Sequence, residues 1–271
     1  MGLRAYDISL WGFFRFHGTD AKKFLQGLVT ADLNKLKAGM CLPACVLTPK
    51  GLLIADCELY EETPESVLAV TRPGAAIGFL MAFEKKIMLS DSTLKALRSE
   101  RAWLVIGEGY DRGLPWTRLG EPARLLLGVD PPEEAELLSD AEFEALRVNV
   151  GFPWFGADMN DESLPLEARQ DAAISMDKGC YMGQETVSRI VFRGHVNKIL
   201  MGIRFAGEPA APGSVVLLGE RAVGHVTSSA GDVGLGLIRY DDAVAGGKIT
   251  ADGREGELLL FASWPKPLSK A

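Results

Sequence analysis

Long hydrophobic runs are missing from this chain. No stretch approaches the roughly 20 apolar residues that cross a bilayer, and the opening MGLRAYDISLWGFF lacks a basic segment followed by an apolar core and a cleavage site. The reading is a cytoplasmic protein with no membrane partner. Cysteine is scarce too. The four thiols, at 41, 45, 57 and 180, have neither disulfide-framework spacing nor a C-x-x-C pair, so reduced thiols are expected. Cys41 and Cys45 alone could suggest a metal, but a hairpin closed at Thr48-Pro49-Lys50-Gly51 would put Cys57 on the opposite strand face from both. No metal centre is expected. Positive charge is in deficit: 29 basic against 36 acidic residues give a net charge of -7, the wrong sign for a footprint on a phosphate backbone. Direct nucleic-acid binding is not expected. A Walker loop, a Rossmann fingerprint and an HExxH helix are all absent from the sequence, which removes support for nucleotide hydrolysis, dinucleotide redox chemistry and that class of zinc chemistry. Of only three histidines, His225 sits in a strand-like segment and reads as a structural hydrogen-bonding residue.

The composition that remains is that of a globular protein. With 271 residues, 47% hydrophobic and 24% charged, the chain can bury a full core and has room for about two domains. Its densest cluster of chemistry is Lys178-Gly179-Cys180-Tyr181-Met182-Gly183-Gln184-Glu185. Glycines at 179 and 183 allow a turn and a close approach by a ligand or another strand. A helix beginning at Gln184 would carry Glu185 in its first turn, where the dipole favours an acid, and would place Cys180 just upstream of its positive end. Lys178 and that helix terminus both favour thiolate, which makes Cys180 a candidate reactive thiol. The alternative is a buried, inert cysteine in a tight turn.

The run KGCYMGQE, followed by Arg193-Gly194 and Asn197-Lys198, resembles the signature of the folate-binding YgfZ family, which is related to the aminomethyltransferase (T-protein) of the glycine cleavage system. That resemblance implies an α+β fold: a T-protein-like ring of mixed α/β subdomains around a central cleft, with a small C-terminal β-barrel. Residues 1–198 would form the folate-binding region, as two intertwined subdomains, and 199–271 the barrel.

Taken in order, residues 6–16 alternate as one strand ending at His17-Gly18, and Asp20 then caps a helix that puts Phe24, Leu25 and Leu28 on one face. Residues 41–47 and 52–60 flank a hairpin turn, 66–71 read as a strand and 74–86 as a helix, and 87–89 and 102–107 as strands around a polar connection. Residues 107–135, rich in Gly, Pro and charge, read as loops and short strands, and 141–148 as a helix ending before Gly151-Phe152-Pro153. From Lys198 onward, short strands at 198–205, 215–218, 222–228, 234–238 and 257–260 follow at close spacing, as in a small barrel.

Several positions take a meaning from the resemblance. G-x-D, F-L-Q-G and T-x-D near the start are similar to the opening of both families, and Trp11 matches a folate-pocket tryptophan; core packing is its other reading. Where T-proteins carry an aspartate pair on the second hairpin strand, this chain has Ala55-Asp56, and Asp56 could also be a solvated strand residue. The pterin-binding glutamate falls at Asn149, and a second pocket tryptophan at Phe143. An amide lacks the two-acceptor face that suits an aminopyrimidine. The resemblance implies that Trp11, Asp56, Phe143, Arg147, Asn149, Tyr181, Gln184, Glu185 and Arg193 bind or shape the site for tetrahydrofolate or a one-carbon derivative, with Cys180 as the working thiol and Lys178 as its electrostatic partner. The implied role is an accessory one in iron-sulfur cluster assembly or repair, touching tRNA modification indirectly through cluster enzymes. Its partners would be folate and iron-sulfur assembly proteins or cluster enzymes. A folate-dependent aminomethyl or one-carbon transferase and a structural interaction protein are the alternatives.

Overall fold

A computed structural model describes residues 2–98, 101–266 and 268. They form two units: Met1–Asp140 with Ala172–Thr186, and Ala141–Asp171 with Val187–Ala271. The elements of the first unit are β1 (Arg4–Asp7), β2 (Gly12–Gly18), α1 (Ala21–Gln26), β3 (Leu42–Leu47), β4 (Leu53–Thr63), β5 (Ser66–Thr71), α2 (Pro73–Glu84), β6 (Ser92–Leu97), β7 (Ala102–Ile106), β8 (Leu114–Trp116), β9 (Ala123–Leu127) and β10 (Glu136–Leu137). Two five-stranded sheets result, ordered β3-β4-β5-β2-β6 and β10-β1-β7-β9-β8. Among the described residues, the β1–β10 pair is the one parallel pairing in these two sheets.

The expected hairpin forms between β3 and β4, with the Gly51 N–H donating to the Thr48 carbonyl at 2.9 Å. Every residue of β5 is buried, and α2 covers one face of that sheet. Phe79 and Phe83, four apart and so on one helical face, pack on Phe14 at 4.8 Å and Phe16 at 5.1 Å between ring centroids. Pro73, pre-set for a first helical turn, starts α2 and holds Arg72 extended before it.

Three local expectations change. The strand expected over 6–16 is two strands: the Trp11 N–H donates to the Ile8 carbonyl at 2.9 Å, a tight turn that passes the chain from one sheet to the other. The helix after Asp20 stops at Gln26, and Asp20 makes no side-chain cap. Ile87–Leu89 is a 3-10 turn with Met88 and Leu89 exposed, and the strand lies instead in the segment that follows, β6, an edge strand with Leu94 and Leu97 half-buried and Lys95 exposed.

The second unit contains most of α3 (Asp140–Asn149) and of α4 (Gln184–Arg193), followed by β11 (Lys198–Phe205), β12 (Val215–Leu218), β13 (Arg221–Ala230), β14 (Val233–Arg239), β15 (Lys248–Ala251) and β16 (Arg254–Leu259). The six strands close into a barrel in the order β11-β14-β13-β12-β15-β16, so none is left with an open edge. Short, polar β15 was not anticipated. Val148 of α3 packs with Leu200, Val233, Leu235 and Leu237 of the barrel, and Phe261 and Trp264 flank this cluster. No helix among the described residues is long and apolar enough to cross a membrane.

Candidate functional site

The segment that precedes α4 is fixed by backbone contacts to the loop between α1 and β3. The Ser175 N–H donates to the Thr30 carbonyl at 3.0 Å and the Met182 N–H to the Gly27 carbonyl at 3.1 Å. The Thr30 hydroxyl donates to the Ala173 carbonyl at 2.5 Å and accepts from the Cys45 N–H at 2.8 Å. Lys178 is buried, and its ammonium donates to the carbonyls of Gln26 (2.6 Å), Val29 (2.8 Å) and Ala31 (2.6 Å). All three of its protons are used, so it works as a staple between the two loops. Among the described residues it makes no hydrogen bond to Cys180. Burial pulls the Lys178 ammonium down to about 8, against the opposing charge of Asp32.

At the other end of the segment, Gly183 lies against the β3–β4 turn. Its φ is +83°, and a Cβ there would sit 2.7 Å from the Thr48 carbonyl and 2.9 Å from the Leu47 Cβ. Gly51 answers it: with φ +81°, its own Cβ would fall 2.7 Å from that of Thr186. Between these anchors Cys180 is exposed, contrary to the reading of it as a buried cysteine. Gly179 has open space where a Cβ would be. Tyr181 is buried with its ring 5.2 Å from the Lys178 ammonium, and burial pushes its phenol up to about 12. Its hydroxyl has no hydrogen-bond partner among the described residues. Gln184 and Glu185 open α4, half-buried and exposed respectively, and Arg193 is exposed at its end.

Trp11 and Asp56 meet through a residue that sequence reasoning missed, Arg72. Its guanidinium lies 5.3 Å from the Trp11 ring and 5.9 Å from that of Trp116, which packs on Trp11 at 5.8 Å. The same group pairs with Asp56 at 2.8 Å and takes Glu58 in a two-pronged contact, while Arg118 stands 3.8 Å from Glu58. Asp56 and Glu58 are two apart on β4 and so face the same side. Asp56 is fully buried, contrary to the reading of it as a solvated strand residue. Burial raises its carboxyl although Arg72 opposes the shift. For Glu58 burial acts the same way, but Arg72's charge and hydrogen bonds outweigh it and the carboxyl ends below its ordinary value. The signal for Arg72 was local and easily passed over, an arginine between a largely apolar strand, every residue of which is buried, and a helix-starting proline.

In the second unit Phe143 and Arg147 gather around Asp158. Arg147 donates to Glu144 (2.6 and 2.5 Å), to Asp158 (2.7 Å), to the Phe152 carbonyl (3.1 Å) and to the Ser228 hydroxyl (2.7 Å), and it lies 5.8 Å from the Trp154 ring. Asp158 also accepts from the Trp154 N–H (2.9 Å), Thr227 (2.5 Å) and Ser228 (2.7 Å). Thr227 and Ser228 are consecutive and in a regular strand would face opposite ways; β13 has a register shift between Val226 and Ser228 that turns both hydroxyls to one acceptor. Phe143 packs edge-on to Trp154 at 5.9 Å. Asn149 is exposed, its amide donating back to the Ala145 carbonyl at 2.8 Å. No group of three or more potential metal ligands occurs among the described residues.

With this geometry in place, the chain can be set beside known proteins. Residues 198–266 match the C-terminal β-barrel domain of CAF17. An uncharacterized protein of Haemophilus influenzae is 30% identical over 191 residues, 69% of this chain and 68% of that one. The tRNA-modifying protein YgfZ of Vibrio vulnificus is 28% identical over 266 residues, 87% of this chain and 80% of that one. Among solved structures, the glycine cleavage system aminomethyltransferase T from Bartonella henselae superposes with a TM-score of 0.80 at 16% identity, over 99% of this chain and 88% of that one. The mixed α/β fold with its closed terminal barrel is therefore T-protein-like.

Proposed function

Because the chain belongs to the YgfZ family, related to the T-protein aminomethyltransferase, we propose that it is a cytoplasmic, folate-binding accessory protein. It supports iron-sulfur cluster assembly or repair, and through cluster enzymes it affects tRNA modification. The observation that carries this reading is the presentation of Cys180. One thiol is exposed on a segment held at both ends, by the Lys178 staple and by the Gly183–Gly51 contact. The other three thiols are less available: Cys41 is half-buried, with its thiol pushed up to about 12 by burial, and Cys45 and Cys57 are buried and also raised. A fixed, accessible sulfur suits ligand exchange with a partner better than storage, since one thiolate is too few to hold a cluster alone.

The transferase alternative requires an acid free to hold the reacting nitrogen. Position 55 is alanine, and Asp56 is buried against Arg72. Neither offers that group. Folate recognition then falls to aromatic and polar residues of the signature segment and of the helix it opens, Tyr181, Gln184, Glu185 and Arg193, and to Trp11. Phe143, Arg147 and Asn149 are included by resemblance, although Arg147 already directs its guanidinium to Glu144, Asp158 and Ser228.

The test is titration of the purified protein with tetrahydrofolate and its one-carbon derivatives, read by tryptophan fluorescence. Saturable quenching is expected, and no response up to ~1 mM ligand, a binding energy of only about 4 kcal/mol, overturns folate binding. In cells, Cys180→Ala at matched folded protein should lower the activity of cluster-dependent tRNA-modifying enzymes. An unchanged activity overturns the role of the thiol. Folate-dependent one-carbon turnover that survives the same substitution would establish the transferase instead.

A further inference from the structure

A cleft of about 530 Å³ opens in the unit that contains the barrel, where α4 hands over to β11. Lys198 at the start of β11 and Arg239 at the end of β14 both line it, and they are direct cross-strand partners in the antiparallel ladder. Residues so paired point to the same face, and like charges in that position destabilise a sheet. Neither is tied up in an ion pair: among the described residues no acidic group comes within ion-pair distance of Lys198 or Arg239, although Glu167 and Asp241 share the cleft. Glu167, also in the cleft, feels the Lys198 charge, but its carboxylate accepts the Leu164 N–H at 3.0 Å, and burial raises its pKa despite that charge. Asp242 feels Arg239 only as a lesser influence and is engaged by both guanidinium nitrogens of Arg221, at 2.8 and 2.5 Å. Asp241, exposed, is the other acid of the cleft.

Beside the two cations, the His195 imidazole and the Tyr240 ring stack face to face, with centroids 4.3 Å apart and planes 8° from parallel. Tyr240 is 41% exposed, and His195 is exposed as well. The stack is fixed in place: the Tyr240 N–H donates to the Asn197 carbonyl at 2.9 Å, and His195 Nδ1 lies 2.8 Å from the Val196 carbonyl. A carbonyl only accepts, so Nδ1 carries the proton and the ring orientation is set. Two cations outside any ion pair among the described residues, next to an exposed aromatic platform, make complementary halves of one recognition surface, for an oxyanion and for a planar ring.

We infer that this cleft binds a small nucleotide, with Lys198 and Arg239 holding the phosphoryl oxygens and the His195–Tyr240 stack taking the base. A single phosphoryl group suits the site better than a polymer, because a net charge of -7 over the whole chain opposes an extended polyanion. The binding is non-covalent and independent of the folate reading.

The three imidazoles, His17, His195 and His225, provide the readout by NMR, with His17 in the other unit as the control. Titration with AMP should shift the His195 resonances saturably and leave His17 in place. Adenosine should bind far more weakly than AMP, and inorganic phosphate about tenfold more weakly than AMP. The double variant Lys198→Gln with Arg239→Gln should lose AMP affinity by at least about tenfold, while melting no lower than the parent in phosphate-free buffer, because the like-charge opposition is gone. The inference is overturned if His195 is unmoved by ~10 mM AMP, if adenosine binds as well as AMP, if phosphate binds as well as AMP, if a single-stranded RNA oligonucleotide binds more tightly than AMP at ~0.15 M salt, or if the folded double variant binds like the parent.

Discussion

The ammonium of Lys178 is surrounded by three carbonyl oxygens, and that one contact decides how the signature segment sits. Lys178→Met keeps the apolar stem and leaves three buried acceptors without a donor. A loss of about 1–3 kcal/mol is expected by urea denaturation. Gly183 is the matching constraint at the other end. Gly183→Ala forces a side chain into a left-handed backbone and against the Thr48 carbonyl at 2.7 Å, so a cost of roughly 1–3 kcal/mol is expected, and a neutral result would remove the close-approach argument. Thiol chemistry is also a residue-scale matter. Iodoacetamide near pH 8 should label Cys180 alone in the folded protein, with Cys45 and Cys57 reacting only after unfolding; mass spectrometry of the labelled peptides checks this.

At the scale of elements, two buried arginines do what no single strand or helix could do alone. Arg147 ties α3 to the bulged β13 through Asp158 and Ser228, and Arg72 ties the start of α2 to β4 through Asp56 and Glu58. Removing either leaves carboxylates stranded in a low-dielectric interior. Arg147→Met and Arg72→Met should each destabilise by about 3–5 kcal/mol. The expected contrast is Arg204→Met, which breaks an ion pair with Asp232 that is more than half exposed on both sides, and should cost less than about 1 kcal/mol. Thermal melts of the three variants side by side check the ranking. If Arg147→Met melts no lower than Arg204→Met, the network around Asp158 is not what holds α3.

For the whole molecule, alkaline pH is the sharpest probe. Cys41, Cys45, Cys57 and Tyr60 all hold their protons more tightly when folded, chiefly because burial disfavours their charged forms. From about pH 8.5 the unfolded chain releases thiol protons that the folded chain retains, so the stability these groups contribute is present below that pH and is lost as pH rises toward 12. Lys178 acts with the opposite sign: its folded value is about 8, below the unfolded one, so its contribution grows between about 8 and 10.4. One lysine against three thiols and the two phenols of Tyr60 and Tyr181 leaves a net fall, measurable as a dropping urea midpoint, and Cys45→Ala with Cys57→Ala should flatten it. A midpoint constant from pH 8 to 11 would contradict the burial of these groups. Local signals in the sequence were enough to locate the β3–β4 turn, the start of α4 at Gln184, and the strands of the barrel other than β15, because turn chemistry, helix-start residues and apolar alternation act over a few residues at a time. The signature segment stood out for the same reason. What the sequence left open was decided by contacts between distant positions: Asp56 is buried because Arg72 crosses to it from the next element, Asp158 is satisfied by hydroxyls about 70 positions away, and Lys178 is spent on carbonyls of a loop near the other end of the chain. A charge buried in a protein needs a partner, and which partner it finds depends on how the elements pack.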